Sequence, residues 1–224
     1  MMYVCERREL KQVLAVADLH DVATPALLEE MIGMVGGRCH AVYSDPPWNP
    51  GNEKYWRNHA NAPRTPGYDA FLDAWCAAAG VAIRCGATDV LCEQSANEAH
   101  WGLMVAAAGR AAWPRALPLL EWWEVQYGGS SSARPNTLLH FGGKPLSVSP
   151  WGMSGEAMTI RACAGLHLPA GAVLMDPCIG QGMTSRVAHY FGWNCVGTEL
   201  NPARLQKTVE WLKRQGYRVE RHAR

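Results

Sequence analysis

The residues best suited to chemistry are Asp45-Pro46-Pro47-Trp48, which stand at the end of a short apolar run, His40 to Ser44. These residue types suit attack by the exocyclic amine of a planar base. Such an amine is a weak nucleophile, because its lone pair is delocalised into the ring, and it needs acceptors for its hydrogens. Asp45 and the carbonyl of Pro46 can be those acceptors, since two consecutive prolines stiffen the backbone. Trp48 offers a face on which a base can stack. Taken alone, the four residues indicate an ordinary Pro-Pro turn just as well.

A second group of chemically suggestive residues lies far along the chain. Asp176 follows the apolar segment 173–175 and opens a turn that contains Gly180 and Gly182, after which a helix is expected. Glycines at these positions let the backbone approach a ligand closely. Glu199 ends the next expected strand, where a carboxylate can accept hydrogen bonds from both hydroxyls of a ribose. The order of strand, acid, glycine turn, helix, strand and acid favours a nucleoside-binding half-fold over a simple tight turn.

The residues of this second group also indicate which nucleoside would bind. A dinucleotide site usually has a third glycine three residues after the second, and Ser185 stands at that position. The negative charge of Asp176 would repel a pyrophosphate and would suit a ligand with a cationic amino group. We therefore expect S-adenosylmethionine rather than a nicotinamide dinucleotide.

Alternating strand and helix patterns predict the elements that must position these residues. The expected strands cover 13–19, 39–44, 88–93, 117–127, 137–141, 172–175 and 194–198, and the expected helices cover 24–35, 68–84, 97–108, 155–164, 183–191 and 201–215. The prediction is an α/β fold with a mostly parallel, seven-stranded sheet, an antiparallel hairpin at one edge and helices on both faces. Segment 49–67 is expected to be a long polar loop, which is typical of a functional segment.

Composition is consistent with one globular domain. The chain has 224 residues, of which 48% are hydrophobic and 18% charged, and its net charge of +1 does not by itself indicate a nucleic-acid-binding protein. The eight cysteines form no Cys-x-x-Cys pair, so we expect reduced structural thiols and no metal site. The chain shows no signal peptide and no apolar run of membrane-spanning length, so we expect a cytoplasmic protein with no membrane partner.

Together the two motifs resemble the permuted β class of S-adenosylmethionine-dependent amino-methyltransferases, which modify adenine N6 or cytosine N4 in DNA. In that class the catalytic motif precedes the cofactor motif, as in this chain, and the order of elements is similar over nearly the whole length. The resemblance implies one Rossmann-like methyltransferase domain over 1–224. Residues 1–150 would form the catalytic and target-base half, including segment 49–67, and residues 151–224 the cofactor half.

The resemblance implies a role for each matching residue. Catalysis would fall to Asp45, Pro46, Pro47 and Trp48. Cofactor binding would fall to Asp18, which would contact the adenine, and to Asp176, Pro177, Cys178, Gly180, Gly182, Glu199 and Asn201. The target base and its polymer would contact Trp48, Asn49, Lys54, Tyr55 and Arg57.

Two features depart from the family pattern. The lysine that often precedes a helix upstream of the glycine motif is absent, because the neighbourhood reads Gly152-Met153-Ser154-Gly155-Glu156. The chain also has no room for a large target-recognition domain, so specificity would be low or would reside in segment 49–67 and the hairpin link 128–133.

The sequence thus predicts methyl transfer from S-adenosylmethionine to adenine N6 in double-stranded DNA, with the base flipped out of the stack. The preference for adenine rests only on the family resemblance, in which the residue types at positions 45 and 48 are associated with adenine as the target. Cytosine N4 in DNA and adenosine in RNA stay open as substrates, and so does a catalytically inactive nucleic-acid-binding module. A homodimer is also left open.

Overall fold

The computed structural model describes residues 1–63, 67–127 and 134–223. Its strands are β1 (Met2–Arg7), β2 (Leu10–Val16), β3 (Ala41–Ser44), β4 (Asp89–Ser95), β5 (Leu119–Tyr127), β6 (Arg134–Gly142), β7 (Val173–Asp176), β8 (Asn194–Glu199) and β9 (Arg218–His222). Its α-helices are α1 (Thr24–Met34), α2 (Pro50–His59), α3 (Tyr68–Arg84), α4 (Glu98–Arg110), α5 (Gly155–Ala164), α6 (Met183–Phe191) and α7 (Pro202–Arg214).

Within these residues the strands form one mixed sheet in the order β5-β6-β4-β3-β7-β8-β2-β1-β9. The five central strands, from β4 to β2, run parallel. The β5–β6 hairpin continues one edge antiparallel, and β1 and β9 continue the other. Because parallel strands share one carboxyl edge, the residues after β3, β7 and β8 meet on the same side of the domain.

The α/β architecture and the edge hairpin are confirmed, whereas the expectation of a mostly parallel, seven-stranded sheet is wrong, because half of the strand pairings among the described residues are antiparallel. The described residues form nine strands, because β1 and β9 add a second antiparallel edge. Strand β9 is charged and mostly exposed, so its sequence lacks the alternation that marks a half-buried strand. Its order comes from pairing with β1, which the local sequence does not encode.

Apolar side chains cover both faces of the sheet. One face packs against α1, α3 and α4, around residues such as Val42 and Trp75. The other face packs against α5, α6 and α7, around Tyr43 and Leu205. Neighbours Val42 and Tyr43 therefore point to opposite layers, as the period of two in a strand requires.

Segment 49–67 contains a helix, so the expectation of a loop is wrong for Pro50–His59. Asn49 caps this helix, since its side chain accepts a hydrogen bond from the backbone N–H of Asn52 at 2.9 Å, and proline occupies the first turn. Residues 64–66 of this segment, and the hairpin link 128–133, lie outside the described residues. All eight cysteines are free thiols, and no helix in the described ranges is both long and apolar enough to cross a membrane.

Candidate active site at the carboxyl edge of the sheet

The Asp-Pro-Pro-Trp turn leaves β3 at the carboxyl edge and is held by two hydrogen bonds. The indole Nε1 of Trp48 donates to Oδ1 of Asp45 at 2.7 Å. The hydroxyl of Tyr68, on α3, donates to the carbonyl of Pro47 at 2.8 Å. The turn therefore fixes the acid and the aromatic side chain relative to each other.

The cleft around this turn changes the acidity of Asp45. Desolvation raises the pKa of Asp45 to about 6, while the hydrogen bond from Trp48 and the positive charge of Arg204 oppose the rise. Asp45 is nevertheless open to solvent in the cleft, so water screens part of this rise until a ligand fills the site. At neutral pH the carboxylate is ionised and can accept hydrogen bonds.

Asp176, at the end of β7, is buried and holds the glycine turn together. Its Oδ1 accepts hydrogen bonds from Ser44 Oγ at 2.8 Å and from the backbone N–H of Cys178 at 2.9 Å, and its Oδ2 accepts one from Thr184 Oγ1 at 2.5 Å. Burial raises the pKa of Asp176 to about 7, against the effect of these donors. The bond to Ser44 also ties β7 to β3, so the two motifs are directly linked.

Backbone conformation and close contacts explain why positions 180 and 182 of the turn are glycine. Gly180 (φ +57°) and Gly182 (φ +85°) adopt left-handed conformations. A Cβ at position 182 would lie 2.5 Å from Thr208 Cγ2, and a Cβ at position 180 would lie 2.6 Å from Arg204 Nη2. A larger residue at position 182 would push Thr208, and with it α7, away from the start of α6, whereas at position 180 the flexible end of Arg204 would have to leave its place.

Glu199 ends β8 and faces a narrow pocket of about 80 Å³. Burial raises the pKa of Glu199, although the backbone N–H of Asn201, at 2.9 Å from Oε1, and the charge of Arg204 lower it. The narrow pocket brings together seven of the predicted site residues: Asp18, Asp45, Pro47, Arg57, Pro177, Cys178 and Glu199. Asn201 lies outside this lining, and its side chain instead caps α7 and donates to the carbonyl of His59.

Asp18 follows β2 and forms an ion pair with Arg57 of helix α2. The guanidinium is bidentate, with Nη1 to Oδ1 at 3.1 Å and Nη2 to Oδ2 at 2.8 Å. Burial alone would raise the pKa of Asp18, but Arg57 and the backbone N–H of His20 lower it below its usual value. Arg57, expected at the polymer surface, is thus buried against the narrow pocket.

The remaining predicted contact residues of α2 divide by exposure. Lys54 and Tyr55 are exposed on the outer side of the helix. Trp56, which faces inward, lies under the guanidinium of Arg204, with 3.9 Å between Cζ and the ring centroid. These two side chains, with Asn52 and residues 45–48, line a third opening that we call the aromatic cleft.

A large cavity of about 500 Å³ extends from Asp45 past Asp176 to the first turns of α5 and α6. Its floor carries a buried polar cluster that the sequence did not indicate. The hydroxyl of Tyr43 donates to Glu93 Oε1 at 2.5 Å and lies 3.0 Å from Thr159 Oγ1. Asn136 Nδ2 donates to Glu93 Oε2 at 3.2 Å. The local sequence provides little signal, because Glu93 stands beside Gln94 and Ser95 in β4, and Asn136 stands beside Thr137 in β6, so neither differs from an ordinary polar residue near a strand end.

Arg204 is another site residue that was missed from the sequence. It lines the narrow pocket, the large cavity and the aromatic cleft, and its Nε lies 3.9 Å from Glu199 Oε2. An arginine in the first turn of an amphipathic helix looks like an ordinary surface residue, and only the packing of α7 against the glycine turn places it in the site.

Solved structures of DNA methyltransferases share this fold. A protein described as a candidate DNA modification methylase from Thermus thermophilus matches with a TM-score of 0.58 at 17% identity, over 90% of this chain and 94% of that one. M1.HpyAVI matches with a TM-score of 0.55 at 12% identity, over 89% and 97%. The cytosine-N4-specific PvuII DNA methyltransferase matches with a TM-score of 0.52 at 11% identity, over 88% and 84%.

The Thermus protein has also been solved in complex with S-adenosyl-L-methionine, and that structure matches with a TM-score of 0.56 at 16% identity, over 90% of this chain and 93% of that one. Neither the protein-family models nor the curated proteins gave a match to this sequence. The matches to solved structures show that the chain has the α/β fold of DNA methyltransferases.

Proposed function

We propose that the protein transfers a methyl group from S-adenosylmethionine to the exocyclic N6 of adenine in DNA. The observation that carries this proposal is the position of Asp45 and Trp48 in one cleft that adjoins the narrow pocket of Glu199. An amine acceptor, a stacking face and a nucleoside site thus share one carboxyl edge.

The lining residues fit the cofactor. Glu199 is an acid whose side chain is 11% exposed and can accept hydrogen bonds from two ribose hydroxyls, and Leu200 and Pro177 supply apolar surface for an adenine. Arg186 lines the large cavity, and its buried Nε has no hydrogen-bond partner among the described residues, which suits an anionic group such as a carboxylate. The cofactor, when bound, supplies an electrophilic methyl group on a sulfonium.

The chain's own residues then activate the target. The flipped base stacks on Trp48, whose orientation is set by its bond to Asp45. Asp45 and the carbonyl of Pro46 accept the two amino hydrogens, which keeps the nitrogen lone pair available. The nitrogen would form the new N–C bond as the methyl–sulfur bond breaks and leaves a neutral thioether, and it would lose one proton toward Asp45 and solvent. The carbonyl of Pro47 is already used by Tyr68, which leaves that of Pro46 as the second acceptor.

The test is methyl transfer followed by mass spectrometry of nucleosides. The wild-type protein is incubated with S-adenosylmethionine and, separately, with duplex DNA, single-stranded DNA and RNA. We expect N6-methyladenine in DNA, and Asp45→Asn should lower the rate at least about 1,000-fold while keeping cofactor affinity within about threefold. Loss of cofactor binding in a folded Asp45→Asn protein would contradict the role given to Asp45.

Cytosine N4 in DNA is the second candidate substrate, because the fold is shared with a cytosine-N4-specific enzyme. If the product is N4-methylcytosine, the target base is cytosine instead of adenine, and the mechanism is the same. Failure of the wild-type protein to bind S-adenosylmethionine in calorimetry would instead favour an inactive nucleic-acid-binding module.

A further inference from the structure

The lining of the large cavity carries both negative and positive charges. Three acids, Asp45, Glu93 and Asp176, line one part of it. The lining also includes the first turn of α5, where Glu156 is an exposed acid, the residues around the first turn of α6, and the two arginines Arg186 and Arg204. The amino termini of helices and an arginine favour anions, so the cavity as a whole complements a group that carries both a positive and a negative charge.

Two of the three acids are already engaged. Asp176 accepts hydrogen bonds from Ser44, Cys178 and Thr184, which use both of its oxygens. Asp45 is bound by Trp48 and also faces the aromatic cleft, where the proposed function requires it for the target amine. Of these three acids, Glu93 is the one that the proposed mechanism does not use. Glu156 also lines the cavity, but it is exposed in the first turn of α5, whereas Glu93 is buried.

Glu93 keeps capacity for a further donor. Each of its oxygens accepts one hydrogen bond, from Tyr43 and from Asn136 respectively, whereas an ionised carboxylate has about four acceptor positions. The residue is only 7% exposed. Burial, followed by the nearby charge of Asp45, raises the pKa of Glu93 to about 8, so a cation beside it would relieve an unfavourable charge.

We propose that Glu93 binds the α-ammonium group at the amino-acid end of S-adenosylmethionine. This inference rests on the proposed function and deepens it by naming a cofactor-binding residue outside both sequence motifs. It also reassigns the ammonium, which the sequence alone placed at Asp176. Glu93 is a binding residue in this role, and Tyr43 and Asn136 orient it.

The test compares two proteins, each with two ligands, so that one substitution in the protein is combined with one change in the ligand. Binding of S-adenosylhomocysteine, and of its analogue with hydrogen in place of the α-amino group, is measured by calorimetry for the wild type and for Glu93→Gln. We expect Glu93→Gln to weaken S-adenosylhomocysteine binding at least tenfold and to leave binding of the deaminated analogue unchanged within about twofold, because only the first ligand carries the ammonium.

The Glu93→Gln variant is expected to fold. Asn136 Oδ1 is buried and has no hydrogen-bond partner among the described residues, so a reoriented Asn136 amide can accept from the new glutamine N–H. Glu98→Gln, an exposed acid in the first turn of α4, removes the same charge outside the cavity and should bind both ligands as the wild type does. If Glu93→Gln does not fold, Glu93→Asp should show the same ligand dependence, with S-adenosylhomocysteine weakened more than the analogue.

Equal affinity of wild type and Glu93→Gln for S-adenosylhomocysteine would overturn the inference while leaving the proposed function standing. An equal loss of both ligands in Glu93→Gln would also overturn it, because a structural role affects both alike. Absence of binding of either ligand to the wild-type protein would overturn the proposed function itself, and the inference with it.

Discussion

The hydrogen bond between Trp48 and Asp45 links the residue expected to stack on the base to the residue expected to accept its amino hydrogens. The sequence placed a stacking face and an acceptor in one turn, and the structure adds that the indole N–H donates to the acid itself at 2.7 Å. This bond fixes the plane of the ring and also favours the ionised form of the carboxylate. Tryptophan at this position therefore affects acidity as well as stacking.

Trp48→Phe should raise the pKa of Asp45, because it keeps a flat face and removes the donor to the carboxylate. Since the ionised form is the one that accepts amino hydrogens, the acidic limb of the pH profile of kcat/KM should move about one unit to higher pH. Trp151→Phe, in an exposed tryptophan away from the cleft, should leave the limb in place. An unmoved acidic limb in Trp48→Phe would show that the bond does not set the acidity of Asp45.

At the residue scale, acids at strand ends were predictable from sequence, whereas the buried cluster was not. Asp45, Asp176 and Glu199 each follow an apolar run, and the run itself predicts where the strand ends. The contacts of Glu93 join it to Tyr43, 50 residues away, and to Asn136, 43 residues away. No local period encodes such pairs, which arise only when β3, β4 and β6 become neighbours.

At the scale of elements, helix α2 closes the narrow pocket. It is held by the Arg57–Asp18 ion pair, by the stacking of Trp56 under Arg204, and by the bond from Asn201 to the carbonyl of His59. The narrow pocket, at about 80 Å³, is far below the range of about 300–1,000 Å³ typical of ligand sites. Helix α2 therefore limits how much of a nucleoside the narrow pocket can hold.

Arg57→Met should loosen α2, because it removes the guanidinium from Asp18 and from the carbonyl of Pro63, to which Arg57 Nε donates at 2.6 Å, while keeping much of the apolar stem. We expect amide hydrogen exchange in α2 to become at least tenfold faster in the ligand-free protein. Lys54→Met, an exposed position on the same helix, is the matched control and should leave exchange unchanged. Equal protection of α2 in Arg57→Met and wild type would mean that the ion pair does not hold the helix.

The helix itself could have been predicted from its first residues. Asn49 followed by Pro50 is a capping residue followed by a proline suited to the first helical turn, and both serve in those positions in α2. The segment was nevertheless predicted to be a loop, because polar and turn-forming residues are abundant across 49–67. The inward direction of Arg57 could not be predicted, because it depends on Asp18 at the end of β2.

At the scale of the whole molecule, buried acids make stability depend on pH. The folded-state pKa values of Glu93 and Asp176 are raised to about 8 and about 7, above their ordinary values in an unfolded chain. Such groups contribute most stability below pH 4, where they are protonated in both states, and this contribution is lost as pH rises toward and through 7 to 8.

The free energy of unfolding of the ligand-free protein should therefore fall between pH 5.5 and pH 8.5, by on the order of 3 kcal/mol. Urea denaturation at these two values measures it, and Glu93→Gln should reduce the fall because one of the two titrating groups is removed. A free energy of unfolding that is constant or increases over this range would contradict the pKa directions.

The pairing of β1 with β9 has a consequence for the order of elements along the chain. Met2 lies directly opposite His222 in this pair, so the first and last strands of the described chain are spatial neighbours. A short covalent link could join them, and a new break between β6 and α5 would then give a circular permutant with the glycine turn ahead of the Asp-Pro-Pro-Trp turn. The geometry of the cleft does not depend on which of its motifs is synthesised first.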